Sequence, residues 1–370
     1  RNEMSNYPSI FQPRSIGGLT LKNGIVFAPT TMGLPKPEHA EKLRRIAASG
    51  VALLVLGDIS IEPTFHETGF HLHTPEGCEE TANLVELLHS EGAKVSAQLF
   101  GGDYDVREVM TRLKSGKFSP DEVREYMNEA VVGYVTDMPE ERIEQLLERY
   151  AAVARAACEA GFDMMQIHGD RLNGSFSSGV FNHREDRWGG SVQGRAQFAC
   201  AVVQAVRQAV GAGVPIEYKL AVRQAEPKYG NAGVLLEELP VFVPLLEKNG
   251  VDSFHVSLAN HSALMDTIPV RQHPYFKEEG CFLPYADAVR ALTRLPVCGV
   301  GKLHTPAFIE QALASGRIQF AAMSRQLNAD DQWLEKVAGG RESEIRTCVY
   351  CNRKCAGALQ RHEPFGCVLS

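Results

Sequence analysis

Short apolar or β-branched runs at residues 24–29, 52–57, 94–99, 164–169, 215–222, 253–258, 296–301 and 320–325 alternate with longer segments of helical apolar spacing. The helical segments are 38–49, 80–90, 140–160, 194–210, 237–249, 285–293 and 306–315. Parallel strands need a crossover between them, so eight such runs with helices between predict an α/β fold, the closed (β/α)8 TIM barrel. Five of the helical segments reach a glycine just before the next strand, at Gly50, Gly92, Gly161, Gly250 and Gly316, as a left-handed C-cap requires. Residues 16–21, with Gly17-Gly18 inside, predict a small hairpin that covers the barrel floor.

A barrel takes about 250 residues, and the chain has 370. The remainder is accounted for by two additions. Residues 101–138 form a long, polar, partly helical excursion on the face where loops shape a substrate site. Residues 341–370 form a cysteine-rich tail, so the expected division is a barrel over 1–340 and an iron–sulfur or other metal appendage over 341–370. Hydrophobic residues at 44% and charged residues at 22% suit a large core and exclude a disordered chain. Lys and Arg number 38 against 45 Asp and Glu, a net charge of −7, which argues against nucleic acid or an anionic membrane as partner. The first fifteen residues hold no apolar signal region and no run approaches a membrane span, so a cytoplasmic location is expected.

In this fold chemistry collects at the carboxyl ends of the strands. Those ends read Pro29-Thr30-Thr31, Gly57-Asp58, Gln98, His168-Gly169-Asp170-Arg171, Lys219, His255 with Asn260-His261, Gly299-Val300-Gly301-Lys302, and Ser324-Arg325. Any one of these is most simply a rim residue, but the set converges on one site. Gly299, Gly301 and Lys302, followed by Thr305-Pro306 as helix cap and first turn, sit with Ser324-Arg325 where barrels hold a phosphate. No Walker loop and no GxGxxG is present, so a mononucleotide cofactor is expected.

Of nine cysteines, four fall in the last 23 residues as Cys348-x2-Cys351-x3-Cys355-x11-Cys367. Four thiolates at such spacing hold either an iron–sulfur cluster or tetrahedral zinc, and spacing alone leaves both open. Cys78, Cys158, Cys200, Cys281 and Cys298 read as small buried hydrophobes. His66, His71 and His73 lack the helical spacing and acidic partner of a metal site and read as an ordinary loop.

The chain resembles the old yellow enzyme-like NADH:flavin oxidoreductases, and within them the 2,4-dienoyl-CoA reductase branch. The resemblance is carried by Leu19-Thr20-Leu21-Lys22-Asn23, Ala28-Pro29, Gly161-Phe162-Asp163, residues 182–187 running into Trp188-Gly189-Gly190-Ser191, and Arg195. Cys351-Asn352-x2-Cys355 resembles that branch's [4Fe-4S] motif, which favours a cluster on Cys348, Cys351, Cys355 and Cys367 over zinc. The resemblance also implies FMN. Pro29, Thr30 and Thr31 would lie along one face of the flavin, with Gly57 and Gln98 at the ring and Gly301, Lys302, Ser324 and Arg325 at the phosphate. Lys219 stands where the family usually has arginine; either cation compensates the charge of a reduced ring.

One departure is informative. Relatives carry a Gly-Tyr pair after the strand-4 His or Asn, and that tyrosine donates the proton in double-bond reduction. Here His168-Gly169-Asp170-Arg171 runs directly into Leu172-Asn173 and the tyrosine is absent. That loop resembles the bilirubin reductases of gut bacteria, which implies hydride transfer from reduced FMN to an activated C=C bond, bilirubin going toward urobilinogen. The implied catalytic residues are Asp170, Arg171, His168 and His261, the last as an alternative proton donor. Another enone or enoyl-CoA substrate, or an electron-transfer subunit, are the alternatives. The dienoyl-CoA branch continues into FAD- and NADPH-binding domains, whereas this sequence ends three residues after Cys367. Electrons are therefore expected from NAD(P)H directly or from a donor protein through the cluster.

Overall fold

A hairpin of β1 (Arg14–Ile16) and β2 (Leu19–Leu21) precedes the barrel and turns at Gly17, whose φ of +54° suits glycine. The computed structural model describes residues 6–63, 69–261, 263–361 and 363–370. Its barrel strands are β3 (Ile25–Phe27), β4 (Leu53–Ser60), β5 (Lys94–Phe100), β6 (Met164–Gly169), β7 (Ile216–Arg223), β9 (Ser253–Leu258), β10 (Val297–Gly299) and β11 (Phe320–Met323). A two-residue strand, β8 (Val234–Leu235), pairs with the end of β7. Neighbouring barrel strands are all parallel, in the order β6-β5-β4-β3-β11-β10-β9-β7, and pairing of β6 with β7 closes the ring. All eight expected strands are therefore present, while β8 was not expected because two residues carry no periodicity.

The barrel interior is filled at its lower end by apolar side chains. Ile16 and Leu21 of the hairpin pack with Val26, Val55, Met164, Cys298 and Phe320, so the hairpin does close the floor. The outer shell includes helices Lys36–Ala48, Pro75–Ser90, Glu140–Glu159, Gln197–Val210, Leu239–Lys248, Leu283–Arg290 and Pro306–Ala314. Gly50, Gly92, Gly161, Gly250 and Gly316 all have positive φ between these helices and the strands that follow. The second helix starts earlier than expected, since Thr74 accepts the Gly77 N–H and Pro75 opens the first turn.

The excursion 101–138 contains helices Val106–Ser115 and Pro120–Thr136, capped by the side chains of Asp105 and Ser119. The tail packs against the upper face. Asn352 Nδ2 donates to Ile268 O at 2.7 Å, Asn328 Nδ2 to Gly366 O at 2.7 Å, and Cys348 N–H to Gln326 Oε1 at 2.9 Å. Of the five other cysteines only Cys200 and Cys298 are buried; Cys78, Cys158 and Cys281 are half-buried at the packing edge. Among the described residues no helix is long and apolar enough to cross a membrane.

Candidate active site

The upper ends of the strands enclose a cavity of about 370 Å³. Strand register decides what faces it. Gln98 pairs with Gln166, Gln166 with Glu217, and Glu217 with Ser253, so four polar side chains occupy one level of the interior. One level higher, His168 pairs with Lys219 and Lys219 with His255, and all three line the cavity. The lower level is a hydrogen-bond chain. Gln98 Nε2 donates to Gln166 Oε1 at 2.8 Å, Gln166 Nε2 to Glu217 Oε1 at 2.8 Å, and Ser253 Oγ to Glu217 Oε2 at 2.9 Å. Burial raises the Glu217 carboxyl, and the bonds from Gln166 and Ser253 only partly oppose that.

Charge on the upper level is concentrated at Lys219. Burial lowers its pKa while Asp170 and Asp58 support the cation. The His255 imidazole is pushed down to about 3 by burial and then by Lys219. His168 is held well below its ordinary value by burial, Lys219 and Arg171. Both rings are therefore neutral near pH 7. Three buried polar atoms on the cavity lining, His255 Nδ1, Ser257 Oγ and Thr267 Oγ1, have no hydrogen-bond partner among the described residues. Buried polar groups are rarely left so, and a polar ligand would satisfy them.

Two glycines mark close approaches. A Cβ at Gly57 would meet Gln98 Oε1 at 2.5 Å and Pro29 Cβ at 3.0 Å. Gly301, with φ +107°, has no room for one against the Phe282 ring at 2.5 Å. Thr30 Oγ1 donates to Ala28 O at 2.9 Å and contacts Ser324 Oγ at 2.5 Å, tying the first strand end to the last beside Thr31.

The cations expected at a phosphate also bond to neighbouring carbonyls. Lys302 Nζ donates to the carbonyls of Val270 and Phe276 at 2.6 and 2.7 Å. Arg325 Nη1 donates to Pro269 O at 2.6 Å, and its guanidinium lies 4.6 Å from the Tyr350 ring centre. Thr305 does precede the helix at Pro306, but its side chain makes no capping bond. Glu279 Oε1 instead accepts the N–H groups of His304 and Thr305 at 3.0 and 2.7 Å, a carboxylate being the stronger acceptor at a helix start.

Asp170 and Arg171 leave β6 directly into the cavity wall. Asp170 Oδ1 accepts the Asn260 N–H at 2.9 Å, and burial raises its carboxyl above the ordinary range against Lys219 and the other nearby positive groups. Burial works against the Arg171 guanidinium, but Asp103, Tyr104, Asp170 and Asp58 keep its pKa above the usual. His261 was expected beside the substrate. Its side chain is fully buried, does not line the cavity, and sits behind Arg171 with Nε2 2.7 Å from Asp103 Oδ2.

The four tail cysteines line one small crevice with Arg325, Asn352 and Val368. Tyr350 N–H points at Cys348 Sγ at 3.3 Å and Leu369 N–H at Cys367 Sγ at 3.4 Å. Tyr350 and Asn352 both have positive φ, 54° and 56°, which curls the loop around the thiols. Burial pushes the Cys348 thiol up to about 11, with Cys355 and Cys367 adding to it. Among the described residues no three His, Cys, Asp or Glu side chains converge where one ion would sit. The four thiols share one crevice with two N–H groups aimed at sulfur, a donor set of the kind that both zinc and iron–sulfur sites use. His66 lies outside the described residues, and the His71 and His73 rings stack on each other at 5.8 Å.

Asp103 and Glu217 were missed in the sequence, and Asp58 was seen at a strand end without a role. Glu217 did leave a signal, a carboxylate at the centre of an apolar strand. Asp103 left none, standing in a loop 158 residues from the histidine it meets.

Comparison with known proteins adds a second kind of observation. A profile of the NADH:flavin oxidoreductase / NADH oxidase family matches residues 9–344. A bilirubin reductase of Clostridium symbiosum (strain WAL-14163) is 51% identical over 368 residues, covering 98% of this chain and 97% of that protein. A bilirubin reductase of Mediterraneibacter gnavus (strain CC55_001C) is 31% identical, covering 98% of this chain but 56% of that protein. The solved complex of a 2-naphthoyl-CoA reductase superposes with a TM-score of 0.81 at 22% identity, over 98% of this chain and 57% of that one. The chain thus spans nearly all of the first relative and little more than half of the other two.

Proposed function

The chain belongs to the NADH:flavin oxidoreductase / NADH oxidase family, which implies use of FMN and NADH, and from that premise we propose that it reduces a conjugated C=C bond of bilirubin. The observation that carries this reading is the Asp170-Arg171 pair on the cavity wall, at the point where the familiar tyrosine is missing. Bound FMN would supply the hydride. Lys219 would sit at the pyrimidine end of the ring, Gln98 and Gly57 would meet its edge, and Pro29, Thr30 and Thr31 would lie against it. Gly301, Lys302, Ser324 and Arg325 would hold the phosphate, with Lys302 Nζ and Arg325 Nη1 also tied to neighbouring carbonyls.

Bilirubin carries methine bridges conjugated to lactam carbonyls, and hydride addition places negative charge toward the carbonyl oxygen. Arg171 donates a hydrogen bond to that oxygen as the charge develops, which favours the transition state over the ground state. Asp170, on the same wall with its carboxyl raised above the ordinary value by burial, would deliver the proton to the other carbon and regain one from water. Neutral His168 orients the ligand as a hydrogen-bond partner.

We also propose that Cys348, Cys351, Cys355 and Cys367 hold a [4Fe-4S] cluster, supported by the shared crevice and the two N–H groups aimed at sulfur. Cys355 borders both the crevice and the cavity, so cluster and flavin would be neighbours.

The test is anaerobic turnover with FMN-loaded protein, NADH or a chemical reductant, and bilirubin, following loss of bilirubin absorbance and formation of urobilinogen. Arg171→Ala should lower turnover by about 10² with flavin content preserved. Normal rates in both Arg171→Ala and Asp170→Ala would remove the pair from the chemistry.

A further inference from the structure

The excursion between β5 and β6 carries Asp103 to the far side of Arg171, away from the cavity. Its side chain is fully buried. Oδ2 accepts from Ser175 Oγ at 2.7 Å and lies 2.7 Å from His261 Nε2. Burial would raise this carboxyl, but His261, Arg171 and Ser175 together hold it below the usual range, so it is ionised at neutral pH. An ionised carboxylate only accepts hydrogen bonds, which puts the hydrogen on Nε2. The other ring nitrogen, Nδ1, lies 3.5 Å from Arg171 Nη1. A guanidinium only donates, so Nδ1 must carry the lone pair. Partners of opposite kind on the two nitrogens leave His261 a single tautomer.

The ring is also fixed in place. Phe181 meets it edge-on at 5.3 Å, Asn231 Nδ2 donates to His261 O at 2.5 Å, and Asn260 Oδ1 accepts the His261 N–H at 2.8 Å. His261 has φ +67°, a strained conformation for a side-chain-bearing residue, of the kind found where function requires it. The same turn donates the Asn260 N–H to Asp170, so one short segment positions both groups of the pair.

We propose that Asp103 is a positioning residue for double-bond reduction: it holds His261 as the Nε2–H tautomer, and His261 Nδ1 in turn fixes the Arg171 guanidinium at the cavity wall. The inference rests on the reading of Arg171 as the group that meets the substrate. Asp103 itself touches neither ligand nor cavity. Its negative charge acts through the imidazole in a poorly screened interior, and it favours a charged, oriented Arg171. The pattern required of the middle residue is a donor toward Asp103 and an acceptor toward Arg171. A glutamine at position 261 can supply both, and leucine neither.

The experiment uses the full chain loaded with its cofactors. In ¹⁵N-histidine spectra the His261 signals, assigned by their loss in His261→Gln, should report the Nε2–H tautomer and should move in Asp103→Asn, where an amide can donate toward Nε2. Asp103→Asn should lower kcat by about 10-fold to 100-fold, with a much smaller change in KM and unchanged flavin content. The double variant Asp103→Asn/Arg171→Ala should be no slower than Arg171→Ala alone. His261→Leu should lose turnover like Asp103→Asn, and His261→Gln should recover about tenfold of it; these two variants decide the matter even where Asp103→Asn does not fold. Wild-type kcat in Asp103→Asn beside a slow Arg171→Ala overturns the role of Asp103 alone, as does equal loss in His261→Gln and His261→Leu. Full activity of Arg171→Ala overturns the reading of Arg171 and the use of the relay with it.

Discussion

Lys219 is the residue on which the electrostatics of the cavity turn. It is a buried cation flanked by His168 and His255, whose imidazoles are both held neutral, so its charge is not diluted by theirs. A reduced flavin carries negative charge at its pyrimidine end, and a fixed cation there stabilises that state more than the oxidised one. Lys219→Met should therefore weaken FMN binding by about tenfold or more and lower the flavin midpoint potential, measured by equilibrium titration and by dye-coupled reduction. Unchanged affinity and potential would take Lys219 out of the site. Lys219, Asp170 and Arg171 were all legible because parallel strands deliver their ends to one face, so sequence position alone predicts convergence. The state of those side chains was not legible. That Lys302 also reaches two carbonyls, and that His261 meets Asp103, is set by loops that meet only in three dimensions.

At the scale of elements the tail does more than close the chain. Tyr350, Cys355, Ala356, Leu359 and Phe365 form one wall of the cavity that the barrel strands floor. It is joined to the barrel by Asn352, Gln326 and Asn328, and by Tyr350 through its hydroxyl 2.8 Å from His304 Nδ1. The proposed cluster on its cysteines would add to the order that these contacts give the segment. Cys351→Ala should lose iron and sulfide, raise hydrogen exchange over 348–367, and weaken flavin retention, all in the same preparation. A variant without iron whose tail stays protected and whose flavin affinity is unchanged would show that the wall stands without the cluster. The strand and helix order was readable because glycine caps repeat ahead of the strands, each at a positive φ a longer side chain resists. The helix start at Pro75 carries its own signal in Thr74-Pro75, a cap and first-turn proline, but it lies ahead of the apolar spacing that marks the rest of the helix.

The whole molecule is a closed ring of strands whose interior changes character from bottom to top. The hairpin seals an apolar floor, and above it the Gln98-Gln166-Glu217-Ser253 chain crosses from β5 to β9 before the cavity opens. A carboxyl group in that position is costly when charged. Burial raises the Glu217 pKa in the folded chain above its ordinary value of 4.5, so between those two values the folded state binds a proton that the unfolded state has lost. Stability from this group is therefore complete below the unfolded value and is lost as pH rises through the folded one. Glutamine in its place keeps a donor and an acceptor and never ionises. The difference in unfolding free energy between the native chain and Glu217→Gln, measured by denaturant titration from pH 4 upward, should fall steadily in the native chain's disfavour as pH rises. Other titrating groups are common to both proteins and cancel in that difference, leaving the slope to report Glu217 alone. A difference that stays flat with pH would mean that the carboxyl ionises as easily inside the barrel as in the unfolded chain, and that the polar level is hydrated rather than sealed.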